Sequence, residues 1–315
     1  MIGYVIRRML QSVVVLVGVT LIVFVLEHLI PGNLARAILG QRASPGEIAA
    51  FDRANGLGQP LVVQYIVFLG HVAEGNLGRS YRLNQSVGSL VAHELPNDLV
   101  LVGTALLLAL CVAIPLGVAQ AARRNTAFDH AATGVSFLLY SIPSYCLGLL
   151  LVAGLSIAAH VFPPEAPQAP SAAGVLGDPR ALVLPVLTLT LVNVALFSRY
   201  MRSSAIATLA EDYVRVARAK GAGGWNLIRR HVLRNSLAAV VTLVGLSLPA
   251  LLTSGLVIEY LFNFPGTGLT YFTAAVNSDY PVMLGITVLV GFTTVIGNLF
   301  ADLSYAMLDP RVRYD

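Results

Sequence analysis

Six stretches of the chain contain no Asp, Glu, Lys or Arg: Met9 to Leu26, Leu99 to Ala122, Ala131 to Ala159, Ala181 to Ser198, Asn235 to Ile258 and Tyr280 to Ala301. They run from 18 to 29 residues, and an α-helix rising ~1.5 Å per residue needs about 20 apolar residues to cross a bilayer core. Together they fill 135 of 315 positions, where even placement of the 36 charged residues would put about 15. A membrane barrel would alternate polar and apolar positions over roughly ten residues, and none of the six does. With 56% of residues hydrophobic and 11% charged, against roughly 25% in a soluble domain, too little polar surface remains for a water-soluble globule. The same figures exclude a disordered chain or a secreted disulfide scaffold. The expected architecture is all-α integral membrane, with six transmembrane helices.

Charge asymmetry orients it. With both termini cytoplasmic, 14 of the 20 basic residues face inward, eight of them between Arg199 and Arg234. Five of the six outer ones lie in one long loop, where the positive-inside preference is weak. This topology also accounts for the basic balance, a pI of about 9.2, without nucleic acid as a partner. The first helix shows no small-residue cleavage site before Glu27, so it reads as a retained span. The expected organisation is therefore 1–30 as cytoplasmic N-terminus and first span, 31–98 as an extracytoplasmic helical loop, and 99–315 as a five-span core. Within that core, 199–234 forms a cytoplasmic loop.

The outer loop carries local helix signals. Ser44 with Glu47 makes a capping box, Pro45 suits the first helical position, and Asn55-Gly56 supplies a left-handed stop, which predicts a helix over Pro45 to Ala54. Pro60 opens an amphipathic stretch closed by Gly75, and a further helix, Val87 to Glu94, leads to the second span at Pro96. Pro115, Pro143, Pro185 and Pro249 each fall inside a different span, where they predict kinks and a bundle that moves; membrane helices also tolerate proline without such a role. The outer hairpin Glu259 to Asp279 has aromatic residues around Pro265-Gly266-Thr267-Gly268. It reads either as a gate, with Phe264, Pro265, Gly266 and Phe272, or as an interfacial aromatic belt. Cys111 and Cys146 have no metal-ligand spacing and read as packing residues, so neither a disulfide nor a metal site is expected.

The inner loop is more than a turn. Glu211 to Gly221 reads as a helix stopping at glycine, and Ala222 to His231 as a second short helix. A helix, a glycine hinge and a short helix facing the cytoplasm suit docking, although a solvated basic loop that enforces topology has the same composition.

At this loop the sequence resembles a known family. Glu211-Asp212-Tyr213-Val214-Arg215-Val216-Ala217-Arg218-Ala219-Lys220-Gly221, followed nine residues later by His231-Val232-Leu233-Arg234, is similar to the EAA loop of binding-protein-dependent ABC importer permeases, in its dipeptide and oligopeptide variant. Ala217, Gly221 and Leu233 match the general pattern. Arg215, Val216, His231 and Arg234 replace its E, A, I and P. Further resemblance lies in Arg7-Arg8 with Gly18 to Phe24 and Ile30-Pro31-Gly32, in Asn76 to Ser80, and in Ile114-Pro115-Leu116-Gly117. Ser141-Ile142-Pro143-Ser144, Glu259-Tyr260-Leu261-Phe262 and the tail Leu308 to Tyr314 complete it. Asn76 stands where the family carries an acid.

The resemblance implies the type I ABC importer permease fold in a prokaryotic inner membrane. It implies a partner set of a second homologous permease, two ATP-binding subunits and an extracytoplasmic substrate-binding protein. It makes Arg215, Ala217, Gly221, Trp225, His231 and Leu233 the coupling residues, with Trp225 either in an ATPase groove or at the lipid surface. Asn193, Thr253 and Ser254 are candidates for the substrate pathway. ATP and Mg would be bound by the partners, and this chain would need no cofactor and catalyse nothing. Independently, its only lysine, Lys220, is followed by Gly221 and so cannot complete a phosphate-binding loop. The alternative is an ion-coupled secondary transporter, but such proteins place ionisable groups mid-membrane and these span interiors have none. An intramembrane hydrolase would need a base near Ser136 or Ser141, and no histidine shares their span.

Overall fold

The computed structural model describes residues 2–29, 35, 39, 42–54, 56–80 and 82–308, without the side chains of 2–6, 8, 27, 28, 246–254 and 301–308. Among these residues the elements are helices, apart from one isolated antiparallel bridge between Arg79 and Ser86. In chain order they are α1 (Ile2–Leu29), α2 (Pro45–Ala54), α3 (Leu61–Ala73), α4 (Val87–Ala122), α5 (Ala127–Ser141) and α6 (Ser144–Leu151). α6 continues as a π-helical Val152–Ala158. There follow α7 (Ala172–Gly177), α8 (Pro179–Ala210), α9 (Asp212–Ala219), and α10 (Gly224–Leu227) with a π-helical Ile228–Leu233. The last are α11 (Arg234–Leu261), α12 (Thr267–Val276) and α13 (Tyr280–Leu308).

Among the described residues four helices are long and apolar enough to cross a membrane, over Met9–Leu26, Val87–Ala122, Pro179–Ala210 and Tyr280–Phe300. The third charge-free stretch becomes a pair, α5 and α6, bent by 103° at its break. The fifth coincides with α11. The bend is far sharper than the kink expected at Pro143, and its cause is local. Proline disfavours the helical region for the residue before it, and Ile142 turns extended at ψ 125°, ending α5 and leaving Pro143 to start α6. Pro185 and Pro115 remain inside continuous helices, as does Pro96, so the short helix expected at Val87 to Glu94 is the first part of a 36-residue α4. Pro249, Thr253 and Ser254, and the motifs at Ile30-Pro31-Gly32 and the C-terminal tail, fall outside the residues whose side chains are described.

The chain divides into two compact units, Met1–Pro96 with Gly266–Val295, and Asn97–Pro265 with Ile296–Asp315. The first unit packs around Val87, Val91, Ala274, Val282 and Ile286, joined by Leu77. The core of the second is built on α8, whose Leu184 and Leu189 meet Leu101, Ile258, Phe262 and Phe264, and whose Phe197 meets Ala109 and Ala113. Cys146 is half-buried, whereas Cys111 lies exposed on α4 rather than in the packing.

Three glycine stops form as the sequence indicates. Gly56, Gly75 and Gly221 all have positive φ, at 67°, 76° and 89°. Each is followed by an amide that reaches back five residues: Leu57 to the Asp52 carbonyl at 2.9 Å, Asn76 to His71 at 2.8 Å, Ala222 to Ala217 at 3.0 Å. This is the Schellman arrangement, which satisfies carbonyls a helix end leaves open. The capping box forms too. Glu47 N–H donates to Ser44 Oγ at 3.3 Å while Ser44 N–H donates to the Glu47 carboxylate at 2.8 Å. The Ser44 amide, and then its hydroxyl, hold the Glu47 carboxyl below the usual range.

The Ile114 to Gly117 motif has a packing reason. A methyl on Gly117 would stand 2.7 Å from Met201 Cβ, 2.7 Å from the Ser198 carbonyl oxygen and 2.9 Å from the Arg202 amide nitrogen. Two of these are backbone atoms, so α4 and α8 would have to separate. Gly117→Ala is expected to cost about 1 to 3 kcal/mol, read as a lower melting midpoint of the detergent-solubilised protein. A midpoint equal to wild type would show that the helices do not approach this closely.

Candidate functional site

The stretch predicted as a 36-residue loop is largely helix. α8 runs on through 199–210, because Met201, Ala205 and Thr208 recur at helical spacing and are buried against the second unit, Ala205 beside Ala121 and Val232. Charge marks where the apolar stretch ends, and the helix continues past it. Glu211 then turns extended, and its carbonyl accepts from the Val214 and Arg215 amides at 3.1 and 3.2 Å, opening α9. α9 buries Val214 completely and leaves Arg215, Val216 and Arg218 exposed. The Arg215–Asp212 ion pair at 3.4 Å is exposed on both sides and contributes little.

After Gly221 the chain passes Gly223 and re-enters a helix at Gly224, φ 55°. The second short helix was expected to end at His231. It does not end there: α10 passes through the π-helical Ile228–Leu233 directly into α11. The wider π turn places residues five apart on one face, so Leu227 and Val232 are both buried, where an α-helix would have paired Leu227 with His231. Ile228 and Leu233 pack on Val118, Met201 and Val240. The hairpin is closed by Asn235 Nδ2 donating to the Tyr213 hydroxyl and by Ser236 Oγ donating to Thr208 Oγ1 at 3.1 Å.

The six coupling candidates thus divide. Arg215, Gly221 and Trp225 are exposed, with Trp225 at 67%, and Ala217 is half-buried one turn before Gly221. Leu233 is an inward packing residue, and half-buried His231 offers its carbonyl to the Tyr213 hydroxyl at 3.5 Å. No heavy atom lies within 4 Å of where a Gly221 side chain would begin. The hairpin therefore presents an exposed tip held by a buried base, with Arg218, Lys220, Arg229 and Arg230 around it.

At the base of the same unit Asp129 is buried and takes both Arg202 donors, Nε at 2.6 Å and Nη2 at 2.7 Å, together with the Asn125 amide at 3.0 Å. This pair joins α5 to α8. Sequence reasoning passed over it, because the two residues are 73 positions apart and only an Asp beside a helix start was visible.

The gate candidates are split between the two units, whose boundary falls between Pro265 and Gly266. Phe264 is completely buried in the core of the second unit. The turn before it is a further Schellman arrangement with Asn263 at φ 52° and the Phe264 amide on the Glu259 carbonyl at 2.8 Å. It is held by Asn97 Nδ2 on the Pro265 carbonyl at 2.7 Å and Gln168 Nε2 on the Asn263 carbonyl at 2.7 Å. Asn97 was also missed, although a polar Asn97-Asp98 pair at the mouth of a charge-free stretch was there to be read. Phe272 is half-buried on α12. Of the pathway candidates, Asn193 is buried and its Nδ2 donates to the Leu189 carbonyl of its own helix at 2.7 Å. Among the described residues no group of three or more His, Cys, Asp or Glu is arranged to hold a metal ion.

Comparison with known proteins accounts for the whole chain. Residues 113–314 match the family described as binding-protein-dependent transport system inner membrane component, and residues 1–102 match its N-terminal companion family. The chain is 35% identical over 316 residues to the oligopeptide transport system permease protein AppB of Bacillus subtilis, covering all of both chains. It is 33% identical over 333 residues to the dipeptide transport system permease protein DppB of Alkalihalophilus pseudofirmus, again covering all of both. With helices as the named elements among its described residues, several of them of membrane length and apolar, and with matches from end to end, the chain belongs to the family of inner membrane components of binding-protein-dependent transport systems.

Proposed function

We propose that the chain is one half of the translocation pathway of an ATP-driven peptide importer. Six spans, both termini cytoplasmic, a second homologous permease, two ATP-binding subunits and an extracytoplasmic substrate-binding protein complete this reading. ATP and Mg reside in the partners. The observation that carries it is the end-to-end similarity to permeases named for oligopeptide and dipeptide transport, and the exposed α9–Gly221–α10 tip supports the coupling role. In this reading 31–98 lies largely outside, 99–315 is the permease core, and the tip of 199–234 docks on an ATPase subunit, with Arg215, Ala217, Gly221 and Trp225 at the contact. His231 and Leu233 hold the tip's base to α11.

Coupling follows from stiffness. A push on the tip reaches the spans because Val214, Leu227 and Val232 are buried and the Tyr213–Asn235 bond bridges the two arms. The 103° break at Pro143 marks where the bundle is interrupted. Rigid-body rearrangement between two openings needs such firm contacts at the driven end.

Affinity purification of the tagged chain in mild detergent is expected to bring down a second permease and two ATPase subunits. Proteoliposomes of that complex are expected to take up peptide with ATP and binding protein, and to do so in the presence of ionophores. A chain that purifies alone and transports only with an ion gradient would overturn this reading in favour of a secondary transporter.

A further inference from the structure

The segment between α1 and α4 contains a 13-residue apolar helix, α3, too short to cross a membrane. Apolar helices of this length are cores, interfacial segments or re-entrant elements. α3 is no core, because none of its residues is buried. Its contacts decide the matter. The Tyr65 hydroxyl lies 2.9 Å from the Val17 carbonyl and 3.0 Å from Thr20 Oγ1, and Tyr65 and Phe68 stack beside Phe24 with ring centroids 5.3 and 6.0 Å away. Val17 and Thr20 stand nine and six residues inside the Leu26 end of the first apolar stretch, so roughly 14 and 9 Å below its edge. A hydrocarbon core is about 30 Å thick, which puts the Tyr65 hydroxyl near the middle. A second contact fixes the same depth. A methyl on Gly291, well inside the Tyr280–Phe300 stretch, would meet Val19 Cγ1 at 2.8 Å, so α1 and α13 cross at mid-span beside this site.

We infer that α3 is a re-entrant helix immersed in the bilayer, and that its outward face binds phospholipid acyl chains. That face carries Leu61, Val62, Val63, Ile66 and Val67, all between 40% and 70% exposed. Ahead of its last turn, which carries exposed His71, the helix has two polar side chains and both are spent elsewhere: Tyr65 on α1, and Gln64 Nε2 on the carbonyls of Leu57 and Gln59 at 3.1 and 2.7 Å. A dry environment requires that economy, since an unpaired donor in hydrocarbon is costly. Lipid suits the face better than another protein. Helix partners in membranes meet through small or polar residues, and here Gly70 and Ala73 come only at the end, beyond five bulky aliphatics. Placement at mid-span depth does not depend on which side of the membrane is outside.

The sole tryptophan makes the test direct. In a Trp225→Phe background, the full chain carrying Ile66→Trp, and separately Val62→Trp, is reconstituted into phosphatidylcholine vesicles with lipids brominated midway along their chains. Glu74→Trp, just beyond the helix, is the reference. The indoles at 66 and 62 are expected to lose at least half their emission to bromolipid and to be several-fold less sensitive to acrylamide than the one at 74. Acrylamide quenching at 66 and 62 equal to that at 74 places α3 in water and overturns the inference. Protection from both quenchers means protein covers the face, and overturns it equally. Two positions guard against one variant failing to fold.

Discussion

Gly221→Asp is expected to insert and assemble at wild-type level while binding-protein-stimulated ATP hydrolysis and peptide uptake both collapse. At φ 89° a side chain costs about 1 kcal/mol of backbone strain. Space is open around the position, so the added atoms disturb nothing inside the chain. They enter whatever docks there. Losing a contact worth about 2 kcal/mol corresponds to roughly a 30-fold fall. Gly221→Ala separates the two causes, because Asp tolerates the left-handed region at least as well as Ala does. Ala retaining most activity while Asp loses it identifies the docking surface. Equal loss in both would point to backbone strain, and an Asp variant with normal stimulation would remove the tip from the coupling mechanism altogether.

The second large effect concerns stability. Arg202→Met should lower the melting midpoint in detergent by roughly 5–10 °C, the equivalent of about 3 kcal/mol, because it leaves the Asp129 carboxylate without its two strongest donors. The side chains are 28% and 1% exposed, so the carboxylate cannot recover by turning to water, while the arginine partly can. Asp129→Asn in the same chain should return part of the loss, since no lone charge then stays buried. Additive losses in the double variant would mean that the two residues do not interact as the geometry requires.

How much of this could be read in advance depends on the range of each interaction. The Ser44 capping box, the helix over Pro45–Ala54 and the stops at Gly56, Gly75 and Gly221 were legible because each is settled within about five residues. Asn263 and Ser278 take the same left-handed stop position at φ 52° and 56°, yet neither carries glycine's signature. At Asn263 the neighbouring carbonyls are held by Asn97 and Gln168, groups 168 and 95 residues away from the atoms they bind. In the coupling loop the glycine hinge was readable and the π turn was not, because only packing against α4 and α8 makes five-residue spacing preferable to four at Leu227 and Val232.

The sequence by itself determined that this is a helical membrane protein, where its apolar stretches lie, and where its helices stop at glycine. Transfer to hydrocarbon is close to a sum over residues, and left-handed backbone is a property of single positions, so both can be counted along a chain. Tertiary structure decided that α8 continues past its apolar stretch, that Asp129 is paired, that Gly117 must be small, and that Tyr65 reaches mid-span on α1. In each case the free energy belongs to atoms brought together from distant parts of the chain, and local composition leaves it open.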